Sequence, residues 1–360
     1  MTLHVRASTT RLHSLDALRG TAAIAVLISH IAPSLHPIEV LRSWYAVDLF
    51  FIISGVVLCR TYEPRFRAGL TVPRFMMLRY LRLYPLFGFG LLLGIMAELF
   101  APLEYRSLLS DWDHVAAIAS GILILPSPTA SATPEIIPLN PVGWSLFFEL
   151  AINLVYAVFW RRLGNTALLA VVIFWGLDLL WLSEHHVSFG GVSWPTFWAG
   201  LPRIAFSFFI GVLIGRVKQA PPRASRWAWV PVAIFLALLI VPWQDADLRD
   251  TVIMMLTLPP LVWWALSLEP RSTRFCSWLG VISYPVYAVH YPLYRLLGLV
   301  LALTGTTAEL LAPWSGVLFI AVVIALCSLL DRWFDAPLRR VIGERLSKLA
   351  WRSRASVVTI

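Results

Sequence analysis

Runs of about 20 apolar residues recur along this chain, and short loops between them collect arginine. Inside a bilayer no water is present to satisfy backbone N–H and C=O groups, so a run of this kind must bond to itself as helix or close into a barrel. These runs lack the alternation of barrel strands and are long enough to cross as helices. Hydrophobic residues make up 59% of the 360 and charged residues only 14%, too little polar surface for two or three soluble domains. The chain is therefore expected to be all-α, a polytopic transmembrane helix bundle of about ten spans. The net charge of +9 does not indicate nucleic acid, because the basic residues gather in loops on one side of a consistent topology. Cys59, Cys276 and Cys327 are isolated, with neither a metal-site spacing nor a disulfide framework, and no metal is expected.

Basic loops orient the bundle. Residues 1–14 are read as a cytoplasmic tail, 15–330 as the bundle and 331–360, with seven basic residues, as a cytoplasmic tail on an anionic leaflet. The first apolar run ends at Pro33 without a small-residue cleavage pattern, so it is expected to be a span and not a leader. Expected spans are 15–33, 44–60, 83–100, 141–160, 167–183, 197–217, 229–241, 251–268, 279–303 and 314–330. The apolar stretch 114–125 is too short to cross, and parity asks it to dip in and return.

Polar groups at membrane depth mark the candidate site, since such groups are costly there and usually functional. The first span, LDALRGTAAIAVLISHIAP, carries Arg19 and His30. Eleven residues of helix turn through about 1100°, which leaves the two about 20° apart on one face and roughly 16 Å apart along the axis. In VDLFFIISG, Asp48 falls at a similar depth to His30 in the next span, where a carboxylate would hold the imidazole tautomer. In RFMMLRYLRLYP, Arg79 and Arg82 share a helix face at the cytoplasmic entrance of the third span, a placement that suits phosphates. NPVGWSLFFEL supplies Trp144, Ser145 and Glu149, and ISYPVYAVHYPL supplies Tyr284, Tyr287 and His290. Asp178 and Arg203, at similar depth in successive spans, read as a structural ion pair. Trp194 suits sugar stacking or interfacial anchoring.

Taken in order, LDALRGTAAIAVLISHI, VDLFFIISGVVL, RYLRLYPLF, GWSLFFEL and SYPVYAVHYPL resemble the membrane acyltransferase-3 family, integral-membrane O-acyltransferases that often act on bacterial polysaccharides. The family's arginine-x10-histidine signature falls on Arg19 and His30, and its paired arginines on Arg79 and Arg82. The resemblance implies an acyl-CoA donor, commonly acetyl-CoA, taken from the cytoplasm by a protein of the bacterial inner membrane. It also implies a hydroxyl acceptor on a glycan or lipid-linked glycan, with a lipid or secondary metabolite as the alternative. In that setting Arg19, Arg79 and Arg82 would hold CoA. His30 would act as general base or transient acyl carrier, Asp48 as its orienter and Glu149 beside them. Trp144, Ser145, Tyr284, Tyr287 and His290 would support the acceptor. This chain departs from the family after WSL, where WSLFFELAINLVYA keeps Glu149 without a second acid. A secondary transporter or flippase for a sugar is the competing reading, since buried His, Asp, Glu and Arg also build proton relays; no inverted repeat supports it.

Overall fold

In a computed structural model the structure describes residues 11–38, 42–101, 109–187, 189–241 and 247–341. The helices are α1 His13–His30, α2 Trp44–Arg67, α3 Val72–Leu99, α4 Asp111–Leu123, α5 Gly143–Phe159 and α6 Asn165–Glu184. They continue as α7 Gly200–Val217, α8 Val230–Ile240, α9 Asp247–Ala265, α10 Thr273–Leu303 and α11 Trp314–Leu330. Among the described residues the only strands are two-residue segments, β1 Arg223–Ala224 and β2 Leu268–Glu269, paired in parallel. Six helical stretches are long and apolar enough to cross a membrane: α2, α3, α6, 194–217, α10 and 314–341. The other four expected spans coincide with α1, α5, α8 and α9, which are shorter or carry more charge. Length and hydropathy thus support six spans directly, not the expected ten.

With no water between helices, close backbone packing has to supply the attraction that burial supplies in soluble cores. Glycine marks each intimate crossing. A β-carbon on Gly20 of α1 would strike Leu279 of α10, and one on Gly280 would strike Asp16. Gly55 of α2 lies against the backbone of Phe208 and Val212, while Gly211 and Gly215 of α7 lie against Ile52 and Val56. Proline adds another device. Pro292 has no N–H, which leaves the carbonyl of Ala288 one turn earlier without its helical donor. Asn140 donates to that carbonyl at 3.0 Å, and Gly90 of α3 makes the room.

The third span starts earlier than expected. Pro73 occupies the first turn of α3 and the helix begins at Val72, so Arg79 and Arg82 lie inside it and not at an entrance loop. The short segment runs down α3 as α4: His114 meets Glu98, Gly121 meets Leu91, and Tyr80 donates to the Ile122 carbonyl. It returns through irregular chain in which Ser127, Thr129, Ile136, Ile137, Leu139 and Asn140 are buried. Past α11 one π turn, Asp331–Asp335, carries the helix on to 341; residues 342–360 and 1–10 of the expected tails lie outside the described residues.

Asp48 corrects one expectation. Its carboxylate sits against Arg203 of α7, accepting from Nε at 3.1 and 3.2 Å and from the terminal nitrogen at 3.0 Å. Ser207 donates to it at 3.2 Å. Arg203 also donates to the carbonyls of Trp44 and Phe189, so this pair ties α2, α7 and the loop before residue 194 together. Both side chains are buried, and the partner of Arg203 is Asp48, not Asp178. Four hydrogen bonds from three donors around one carboxylate leave it no capacity to orient His30. Removing one partner of a buried pair leaves the other charge unmatched, at a cost of about 3–5 kcal/mol. Arg203→Ala is therefore expected to lower the melting temperature in detergent sharply, and Asp48→Asn to do so less. Variants as stable as the parent would return Asp48 to the candidates for chemistry.

Candidate functional site

Arg19 lies nearly two turns into α1 and turns toward α10, where polar atoms are waiting. Its Nε donates to Ser283 Oγ at 2.9 Å, and a terminal nitrogen donates to the Gly280 carbonyl at 2.8 Å and reaches Asp16 at 3.4 Å. Arg79, on α3, donates to Glu149 of α5, and Ser54 of α2 donates to the same carboxylate at 3.2 Å. The Nε of Arg79 is buried without a partner. Arg82, one turn further on, has no hydrogen-bond or carboxylate partner among the described residues and is exposed. Glu149, expected in the outer half of its span beside the chemistry, instead counters one of the arginines. Arg19, Arg79, Arg82 and Glu149 lie together, and with Asp16 against Arg19 the excess here is one positive charge.

These four residues line one cavity of about 350 Å³. Its far wall is built from Phe50, Ser145, Tyr284 and Tyr287. Tyr284 donates to the Leu83 carbonyl, and Ser145 Oγ and Tyr287 Oη share a hydrogen bond of 2.7 Å. Phe50 and Tyr287 meet edge to face at 5.6 Å. Trp144, expected beside an acceptor, is buried one residue away with Arg203 over its ring at 5.7 Å, so it serves the structural pair.

Beyond Tyr287 stand two histidines. Tyr287 and His290 are one helical turn apart on α10, with ring centroids 6.2 Å apart. His290 is fully buried and its Nδ1 lies 2.9 Å from the Val286 carbonyl. His30, the last residue of α1, is exposed; its Nδ1 lies 2.8 Å from the Val26 carbonyl and 3.4 Å from Nε2 of His290. A carbonyl oxygen only accepts, so in the neutral rings each Nδ1 carries the hydrogen. His290 Nε2 is then an acceptor facing the Nδ1–H of His30. His30 is left with a lone pair on Nε2 at the exposed end of the helix. The orienting group expected of Asp48 is supplied by a helix carbonyl and a second imidazole.

The structure thus brings Arg19, Arg79, Arg82, Glu149, Ser145, Tyr284 and Tyr287 around one cavity, and pairs His30 with His290 next to it. Asp48 and Trp144 stand apart, and Trp194 pins two loops together by donating to the Ser127 carbonyl at 3.1 Å. Sequence reasoning missed Ser54, which carried no signal beyond its place one turn and a half after Asp48. It also missed the cluster of Glu63, Tyr156 and Arg216, although an acid among the arginines Arg60, Arg65 and Arg67 was a visible signal.

Comparison with known proteins places the chain in a family. The acyltransferase-3 family, described as an acyltransferase domain, matches residues 12–332. A protein of Rhizobium radiobacter, "Protein 2 in picA locus", is 36% identical over 154 residues, covering 40% of this chain and 79% of that protein. The peptidoglycan O-acetyltransferase OatA of Listeria monocytogenes is 24% identical over 91% of this chain, which spans 56% of the Listeria protein's length. No solved structure matches the chain significantly. A family match over nearly the whole bundle, carrying the helices just described, makes the chain a member of the acyltransferase-3 family and an acyltransferase of the membrane-helix class.

Proposed function

We propose that the protein takes an acyl group, acetyl in the simplest case, from cytoplasmic acyl-CoA and transfers it to a hydroxyl of an envelope or extracellular glycan. The observation that carries this reading is the single cavity that joins an arginine cluster to the neighbourhood of a histidine pair. Arg82 and the unpartnered Nε of Arg79 offer donors for CoA phosphates, which guanidiniums bind in bidentate fashion. Arg19 sits at the same end, and its separation from His30 by about 16 Å of helix approximates the reach of a pantetheine arm. Ten spans with both termini in the cytoplasm, in a bacterial inner membrane, put the arginines on the CoA side and His30 on the glycan side.

In this mechanism the acceptor hydroxyl enters beside His30 from the outer face. Nε2 takes its proton as the oxygen attacks the thioester carbonyl. The imidazolium that forms shares its Nδ1–H between the Val26 carbonyl and His290. The CoA thiolate leaves through the cavity and takes up a proton. Alternatively Nε2 attacks first and an acyl-imidazole is handed to the acceptor. The Listeria relative is a peptidoglycan O-acetyltransferase, which supports a sugar hydroxyl as acceptor.

Two variants separate binding from chemistry in protein reconstituted with labelled acetyl-CoA and an envelope-glycan acceptor. His30→Ala is expected to lower kcat by about 10²–10⁴-fold with KM for acetyl-CoA nearly unchanged. Substantial turnover in that variant removes His30 from the chemistry. Arg82→Gln is expected to raise KM for acetyl-CoA about tenfold, the loss of one charge-assisted contact, with little change in kcat. A KM equal to the parent's would move the nucleotide away from this arginine. Transport of unmodified sugar without CoA turnover, in the same liposomes, would favour a transporter.

A further inference from the structure

The opposite face of α2 borders a second cavity, of about 610 Å³, that the acyl-transfer reading does not use. Where α2 turns Val57, Thr61 and Tyr62 to the first cavity, it turns Cys59, Arg60 and Glu63 to this one. The cavity lies where α2, α5 and α7 end and α6 begins, all at the basic side of the bundle.

Its charges do not balance. Arg60 donates to the carbonyls of Gly215 and Lys218, and Arg216 donates to that of Leu163, so both close off helix ends. Glu63 accepts from Arg216 at 2.6 Å, from Arg67 at 3.0 Å and from Tyr156. One carboxylate against four arginines leaves an excess of three positive charges. Arg161 has no carboxylate or hydrogen-bond partner among the described residues. It lies 5.5 Å over the Trp160 ring, and Arg67 lies 6.0 Å from the same ring. Helix α6 adds its N-terminus: Gly164 offers no capping side chain, so the first-turn N–H groups from Asn165 have no cap. An uncapped helix start beside the unpartnered guanidinium of Arg161, with Arg67 next to it sharing one carboxylate with Arg216, is complementary to a phosphate. At this level of the bundle the phosphates of the cytoplasmic leaflet lie close by, and basic pockets between helices on that side bind lipid headgroups.

We propose that this cavity binds a phosphate-bearing anion, held by Arg161, Arg67 and the start of α6, with an anionic phospholipid headgroup or free phosphate as its source. The ligand rests against α2, which also walls the acyltransfer cavity, yet the site is independent of the proposed reaction.

The test uses the full chain in maltoside micelles, its melting temperature followed at constant ionic strength. Phosphatidylglycerol, phosphatidylcholine and inorganic phosphate are each titrated in. The expected result is a saturable rise with phosphatidylglycerol well above that with phosphatidylcholine. In Arg161→Gln, which removes only an exposed side chain, the apparent affinity should fall about tenfold. In the Arg67→Gln, Arg161→Gln double variant the rise should vanish. If inorganic phosphate reproduces the rise and Arg161→Gln weakens it, the anion comes from water and the site stands. Equal responses of parent and Arg161→Gln, or no rise with either anion, would overturn the proposal.

Discussion

Helices α1 and α10 run parallel and in backbone contact, and the arrangement of the site depends on that contact. Gly20 admits the backbone at Leu279, Gly280 admits Asp16, and at the other end Ser34 bonds Tyr294 at 2.7 Å. A guanidinium at membrane depth needs its donors matched. Arg19 finds them on α10 itself, at Gly280 and Ser283. A side chain in place of hydrogen at residue 20 or 280 would push the helices apart and leave those donors short. The same contact lets α1 set His30 against His290 almost three turns farther along. One seam therefore fixes both a cation near the phosphates and a base near the acceptor in the proposed reaction.

Much of this was legible in the sequence because helical periodicity is rigid. The shared face of Arg19 and His30 follows from eleven residues of helix, and both side chains do point to one partner helix. The three-residue spacing of Arg79 and Arg82 likewise puts both on the cavity. What was not legible was pairing between helices distant in sequence. Asp48 has several cations within possible reach by depth, and depth alone cannot choose among them. The rotation of α2 about its axis, set by Gly55 against α7, chooses Arg203. Glu149 was likewise placed by depth near the chemistry, but the earlier start of α3 at Val72 lowers Arg79 into its plane. The third span's boundary missed for the same reason: its start was set at 83, after the basic residues, although Pro73 marks a helix start and arginines in apolar helices are tolerated where a cavity receives them.

The histidine pair shows how the bundle economises on charge. A carboxylate behind an imidazole would stabilise the imidazolium, yet it would also be an anion facing hydrocarbon whenever the ring is neutral. The carboxylate nearest in sequence logic, Asp48, is already committed to Arg203 and Ser207. A helix carbonyl at 2.8 Å imposes the same tautomer with no net charge. His290 extends that arrangement, since its Nε2 accepts from His30 while its own Nδ1 is held by Val286. The ladder of carbonyl, buried ring and exposed ring leaves one lone pair free on the exposed ring. Because His290 is fully buried and carbonyl-bound, a proton arriving on His30 Nε2 makes the exposed ring the natural home of the charge, where water and acceptor can reach it. In the proposed reaction the exposed histidine would carry the base, and the buried one would hold it in register.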